Sequence, residues 1–170
     1  MLSREDNELL TRRTGPGTAM GALLRQYWIP VVESKELLPG GRVKRVMLLG
    51  ERLIVFRDKS GRAGLIGEFC PHRGASLYFG RNEDGGMRCV YHGWKFGLDG
   101  QCQEMPSEPP ESSFASKVKQ TAYPCVEAGG VIFAYMGPES TPPPLPELEW
   151  TLLPNGHTFT SRRVQDCNWF

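Results

Sequence analysis

Histidine is the scarcest chemistry-bearing side chain in this sequence: 170 residues hold three. Charge of one sign is lacking too, the net being +1, which removes the electrostatic case for nucleic acid or an anionic membrane as partner. No run approaches the roughly eighteen apolar residues that a membrane helix needs, and the residues after Met1 lead into no apolar stretch of signal-peptide length. A cytoplasmic protein is therefore expected. Cysteine is sparse and odd in number, five in all. In a reducing compartment that favours metal ligation over a disulfide framework. Glycine and proline are plentiful, 20 and 14, the mark of a turn-rich chain of short strands. The length suits one domain with a small appendage.

Residues 1–30 read as a leader with a short helix. Thr14-Gly15-Pro16-Gly17-Thr18 has the glycines of a phosphate loop, but no strand precedes it and Pro16 removes a donor. It is better read as a turn, with Thr18 capping a helix over Met20–Tyr27 that Pro30 ends. The pattern then becomes β. Val43–Leu49, Leu53–Phe56 and Leu65–Phe69 are short apolar runs between turn-forming residues, expected as an antiparallel meander whose last strand feeds Cys70. Met87–Val90 and Gly93–Gly97 read as strands, with a hairpin turn at Leu98–Gln101, and Ala122–Val126 pairs with Val131–Met136. The β region is bounded as 31–137. Residues 138–170 open with Pro138, Pro142, Pro143, Pro144 and Pro146, an extended connector or covering strap, and continue into one more strand at Thr158–Val164.

Within this β pattern, Cys70-Pro71-His72 and Cys89-Val90-Tyr91-His92 stand out. Each loop brings one thiolate and one imidazole. Zinc accepts two sulfurs and two nitrogens, but its usual spacing puts both cysteines in one knuckle and both histidines on a helix. A [2Fe–2S] cluster with one iron on cysteines and the other on histidines takes one ligand of each kind from each arm. The mixed loops favour the cluster, with Cys70 and Cys89 on the ferric iron and His72 and His92 on the iron that accepts the electron. Gly74 and Gly93 let backbone pass close to the sulfides and offer N–H groups to sulfur. Arg73, Arg81, Arg88 and Lys95 flank the loops as a candidate docking face for an acidic partner. Cys102, Cys125 and Cys167 are expected to be buried as small hydrophobes, and Trp94 to shield the site beside His92.

Cys70-Pro71-His72-Arg73-Gly74-Ala75 with Cys89-Val90-Tyr91-His92-Gly93-Trp94-Lys95-Phe96 resembles the N-terminal Rieske domain of ring-hydroxylating oxygenase α-subunits. Glu5-Asp6-Asn7, Thr14–Gly17 and Met105–Pro109 are similar to the phthalate dioxygenase branch. The resemblance implies an all-β fold of stacked antiparallel sheets with two cluster-binding loops, and a short N-terminal helix. It implies a ferredoxin or flavin reductase as electron donor and a mononuclear Fe(II) as acceptor. That iron belongs to a catalytic domain of the same or a neighbouring subunit, in a homotrimer. Rieske proteins of respiratory complexes carry a disulfide between the loops and hydroxyl donors near the second histidine. Ala75 and Tyr91, Trp94 and Phe96 stand at the matching positions, so a potential toward the lower end of the Rieske range, roughly −150 mV, is expected.

The acceptor iron needs two histidines and a carboxylate. With two of the three histidines committed to the cluster, only His157 remains, in an Asn-Gly turn where a loop role is simplest. No catalytic residue is expected in this chain. It reads as the Rieske part of a dioxygenase, monooxygenase or demethylase, with the start of a truncated catalytic domain at its end. The alternatives are a free-standing Rieske ferredoxin and, further off, a zinc-stabilised interaction module.

Overall fold

The computed structural model describes residues 2–109, 111–154, 156–159, 161 and 163–167. Helix α1 (Arg4–Arg12) was not expected from so polar a stretch. Ser3 caps it, its Oγ accepting from the Asp6 N–H at 3.0 Å, while Glu5 and Asp6 sit in the first turn and Arg12 in the last. Helix α2 (Ala19–Leu24) has the expected Thr18 cap, with Oγ1 accepting from the Gly21 N–H at 3.0 Å. It ends earlier than the sequence suggested, and Pro30 terminates nothing. Pro30 lies inside strand β1 (Trp28–Glu33), where a register shift between Pro30 and Val32 absorbs the missing donor.

The remaining strands are β2 (Lys44–Leu48), β3 (Glu51–Arg57), β4 (Ala63–Gly67), β5 (Arg81–Glu83), β6 (Gly86–Arg88), β7 (Lys95–Gly97), β8 (Cys102–Glu104), β9 (Ala122–Tyr123), β10 (Cys125–Ala128) and β11 (Val131–Tyr135). They form three antiparallel sheets ordered β1-β11-β10, β2-β3-β4-β9 and β5-β6-β7-β8. The meander is β2-β3-β4 as expected, and the β7–β8 hairpin turns at Leu98–Gln101. The run read as one strand over Ala122–Val126 divides at Pro124, giving β9 to the middle sheet and β10 to the first. A proline with no N–H is a natural place to change sheets.

The middle sheet is buried on both sides. Leu53, Val55 and Leu65 face a cluster with Val32, Ile132 and Ala134 from the first sheet and Leu37 from the turn after β1. Ile54, Phe56 and Ile66 alternate to the other side, against Leu77, Met87, Phe96 and Cys102. That explains why β3 reads as a continuous apolar run rather than a strict alternation. The second cluster also contains Cys70, Cys89 and Trp94, so the two Cys/His loops grow out of a packed core.

The proline-rich stretch runs as a strap across the first sheet, where the Trp28 indole donates to the Pro143 carbonyl at 2.8 Å. Trp150, in a 3-10 turn at Glu149–Leu152, packs 6.2 Å from the Phe133 ring. The strand expected over Thr158–Val164 is not formed: the described residues there are irregular, and Thr160 and Arg162 lie outside them. Among the described residues no strand pairs with this segment, and alternation without a partner does not make a strand. Cys167 is exposed, contrary to the buried role expected of it. Asn168–Phe170, at the end where the start of a catalytic domain is expected, lie outside the described residues. Among the described residues, no helix is long and apolar enough to cross a membrane.

Candidate metal centre

Two loops with the same hydrogen-bond pattern carry the candidate ligands, the first running from β4 of the middle sheet toward the third and the second joining β6 to β7 within the third. In the first, the Cys70 N–H donates to the Ala75 carbonyl at 2.9 Å, and the Gly74 N–H returns to the Cys70 carbonyl at 2.9 Å. In the second, the Cys89 N–H donates to the Trp94 carbonyl at 2.8 Å, and the Gly93 N–H returns to the Cys89 carbonyl at 3.1 Å. Both turns demand a left-handed residue at the return, and glycine supplies it: φ is +69° at Gly74 and +76° at Gly93. The repeat sets one cysteine and one histidine from each loop on the same ground.

The four sequence-predicted residues are brought together as like pairs. The Cys89 thiol lies close enough to Cys70 to raise its thiol further. The His72 and His92 rings lie 4.6 Å apart, centre to centre. Among the described residues, no group of three or more His, Cys, Asp or Glu is gathered as around a single ion. Burial pushes the Cys70 thiol up to about 11, an effect opposed by the backbone N–H groups of His72 and Arg73 beside its sulfur and reinforced by Cys89. Amides already aimed at sulfur are what a bound thiolate requires. Burial, and then the neighbouring His72, hold His92 below the usual imidazole value.

His72 Nδ1 is buried and without a hydrogen-bond partner, and so is Trp94 Nε1. A buried ring nitrogen left unpaired costs free energy unless something absent from the protein atoms satisfies it. Trp94 stacks on His72 rather than on the His92 its sequence position suggested, with ring centres 4.4 Å apart and planes 7° apart. Phe114 stands edge-on behind it at 6.2 Å. Tyr91, which carried no role in the sequence, is exposed and lies across His92 at 3.9 Å.

Of the four cations read as a candidate docking face, two turn inward and two stay exposed. The Arg88 guanidinium turns inward to Glu83 at 2.9 Å and Glu104 at 2.6 Å, and Lys95 also pairs with Glu104 at 3.6 Å. Arg81 pairs with Glu83 at 3.4 Å, and Arg73 is exposed. Cys102 is buried as expected, and Cys125 is partly buried with its thiol pushed up to about 12. His157 is an exposed loop residue beside the Pro154 carbonyl, 3.3 Å away. It borders a cavity of about 860 Å³ beside β1, remote from the paired cysteines and histidines.

Comparison with known proteins gives this arrangement a context. The family model described as Rieske [2Fe-2S] domain matches residues 27–124. The oxygenase subunit of 3-chlorobenzoate-3,4-dioxygenase from Comamonas testosteroni is 47% identical over 169 residues, covering 99% of this chain and 39% of that protein. The oxygenase subunit of phthalate 4,5-dioxygenase from Pseudomonas putida is 45% identical over 170 residues, covering 99% and 38%. The chain thus spans about two fifths of the length of these relatives. Among solved structures, the reduced complex between oxygenase and ferredoxin in carbazole 1,9a-dioxygenase matches with a TM-score of 0.62 at 35% identity, over 71% of this chain and 31% of that one.

Proposed function

This chain belongs to the Rieske [2Fe-2S] domain family, and from that premise we propose that Cys70, His72, Cys89 and His92 hold its cluster. The observation that carries the assignment is the pairing of thiol with thiol and imidazole with imidazole across two matched loops. Such pairing supports two irons with two ligands each over one tetrahedral zinc. The unpaired, buried His72 Nδ1 fits the same reading, as a donor that lacks only its metal.

When bound, the cluster supplies one-electron transfer. The protein's own residues do the rest. Backbone N–H groups of His72 and Arg73 stabilise negative charge on sulfur. Trp94, 7% exposed, covers one face of His72 against water, while the half-buried His92 lies against the exposed Tyr91. The half-buried His92 edge is then the route by which an electron enters and leaves. No hydroxyl side chain at positions 94 or 96 donates to the site, in keeping with a potential toward the low end of the Rieske range.

In the parent protein, the reading is that electrons arrive from a ferredoxin or flavin reductase and pass to a mononuclear iron in a catalytic domain of the same or a neighbouring subunit. That iron hydroxylates or demethylates an aromatic substrate in the cytoplasm. The division into a leader (1–30), a Rieske domain (31–137) and a connector leading to the catalytic domain (138–170) follows from it, as does a trimeric parent. The chain by itself cycles one electron and hydroxylates nothing. The test is metal analysis of the purified chain with absorption and EPR spectra before and after dithionite. Iron and sulfide in equal amounts and a reducible visible spectrum are expected, lost in both Cys70→Ala and His92→Ala. A colourless protein containing zinc refutes the assignment.

A further inference from the structure

Each metal loop has a neck, and each neck is tied twice. The first tie is backbone: Cys70 to Ala75 in one loop and Cys89 to Trp94 in the other. The second is a buried charge just before the cysteine that reaches across to the far side of its loop. Glu68, 2% exposed, accepts from the Ser76 hydroxyl at 2.7 Å, and Ser76 closes the loop through its bridge to Phe69. Arg88, with a side chain 12% exposed, donates through NH1 to the Gly93 carbonyl at 2.9 Å. The device is the same and the charges are opposite.

We propose that Glu68 and Arg88 are positioning residues of the metal centre, fixing the two loops from charges of opposite sign that push its reduction potential in opposite directions. The proposal rests on the cluster reading above. Each charge is itself anchored: Glu68 by Arg45 at 2.7 Å and Arg52 at 3.4 Å, Arg88 by Glu83 at 2.9 Å and Glu104 at 2.6 Å. The anchors do not cancel the central charges. Arg45 and Arg52 are 44% and 58% exposed and Glu83 and Glu104 are 26% and 49% exposed, so water screens them more than the groups they hold. Reduction adds one negative charge to the centre. A buried cation beside Cys89 favours that step, and a buried anion two residues before Cys70 opposes it.

Ordinary neck-tightening and this charge effect are separable. Loss of packing alone loosens both loops alike, whereas the charge argument requires a split. In the iron-loaded chain, Glu68→Gln raises the midpoint potential and Arg88→Met lowers it. Arg88→Lys keeps the charge but not the planar fork that serves Glu83, Glu104 and the Gly93 carbonyl together. It holds the midpoint near that of the unaltered chain, broadens the EPR signal, and loses iron to a chelator about tenfold faster, the factor that one charge-assisted hydrogen bond carries. Arg57→Lys is the control. Arg57 is equally buried and clamps the Leu37 and Gly61 carbonyls at 2.9 and 2.7 Å, away from the loops. That variant lowers thermal stability without moving the midpoint or the chelation rate. If Arg88→Met does not fold, Glu104→Gln replaces it and raises the midpoint by removing a negative anchor. Midpoints that stay fixed, that move the same way in Glu68→Gln and Arg88→Met, or that move as far in Arg57→Lys overturn the proposal alone. An unaltered chain with no reducible iron–sulfur spectrum overturns the cluster reading and this proposal with it.

Discussion

The two loop glycines perform one backbone task in different surroundings, and replacing each by alanine separates conformational from steric cost. At Gly74, φ is +69° and an added Cβ meets nothing within 4 Å. Only the left-handed backbone is penalised, about 1–2 kcal/mol, which for a chain of this size lowers Tm by roughly 2–8 °C. At Gly93, φ is +76° and the added Cβ lies 3.0 Å from Pro106 Cγ, a ring that the Met105–Pro109 stretch holds against the second loop. Forcing that contact adds about 1–3 kcal/mol of overpacking. The total is about 2–5 kcal/mol, or roughly 4–20 °C. Thermal denaturation of the iron-loaded variants, followed by circular dichroism at one scan rate, reads the difference; a fixed rate matters because metal loss makes the transition kinetic. Gly74→Asn should recover part of the loss, since asparagine tolerates the left-handed region better than alanine. If Gly74→Ala is as damaging as Gly93→Ala, or neither loses stability, the left-handed loop geometry and the Pro106 contact are both wrong.

Two further outcomes follow from side chains around the loops. Trp94→Ala opens the stack on His72 and costs about 3–5 kcal/mol, while Trp94→Phe keeps a ring there. Acid or air bleaching of the cluster should be faster in the alanine variant than in the phenylalanine one, and equal rates would remove the water-excluding role. The Tyr123 hydroxyl donates to Glu51 at 2.6 Å, and Glu51 pairs with Arg25 at 2.5 Å, so burial and then the Glu51 carboxylate push Tyr123 up to about 12. A raised value means that the fold retains a proton the unfolded chain releases near 10, so this stabilisation is whole below about pH 10 and disappears by about pH 12. Urea unfolding should show Tyr123→Phe less stable than the unaltered chain at pH 9, with the gap closing by pH 12; a gap that widens with pH refutes it.

Cys70, His72, Cys89 and His92 were legible in the sequence because metal chemistry is strict about residue type and spacing, and the β2-β3-β4 meander because turn residues punctuate it. Helix α1 was not, because its support is local: a Ser3 cap and end charges leave no apolar periodicity. The strand at Thr158–Val164 failed for the converse reason. Alternation was present, but a strand exists only with a partner, and no local signal shows whether one arrives. Pro30 and Pro124 were misread because the effect of a proline depends on its place in a sheet. At an edge or between two sheets, the missing N–H is harmless.

Sequence alone determined the candidate donor set, its division between two loops, and the family to which the chain belongs, since these follow from residue identity and short spacing. Tertiary structure decided how the donors meet, thiol against thiol and imidazole against imidazole, and which side chains enclose them. Trp94 lies two residues from His92 along the chain yet covers His72, because two matched loops cross their contributions over. Arg88 and Lys95, which read as a basic rim, turn inward because carboxylates from β5 and β8 stand on either side of them. Such choices depend on distances between segments remote in sequence, and only the packed sheets set those distances.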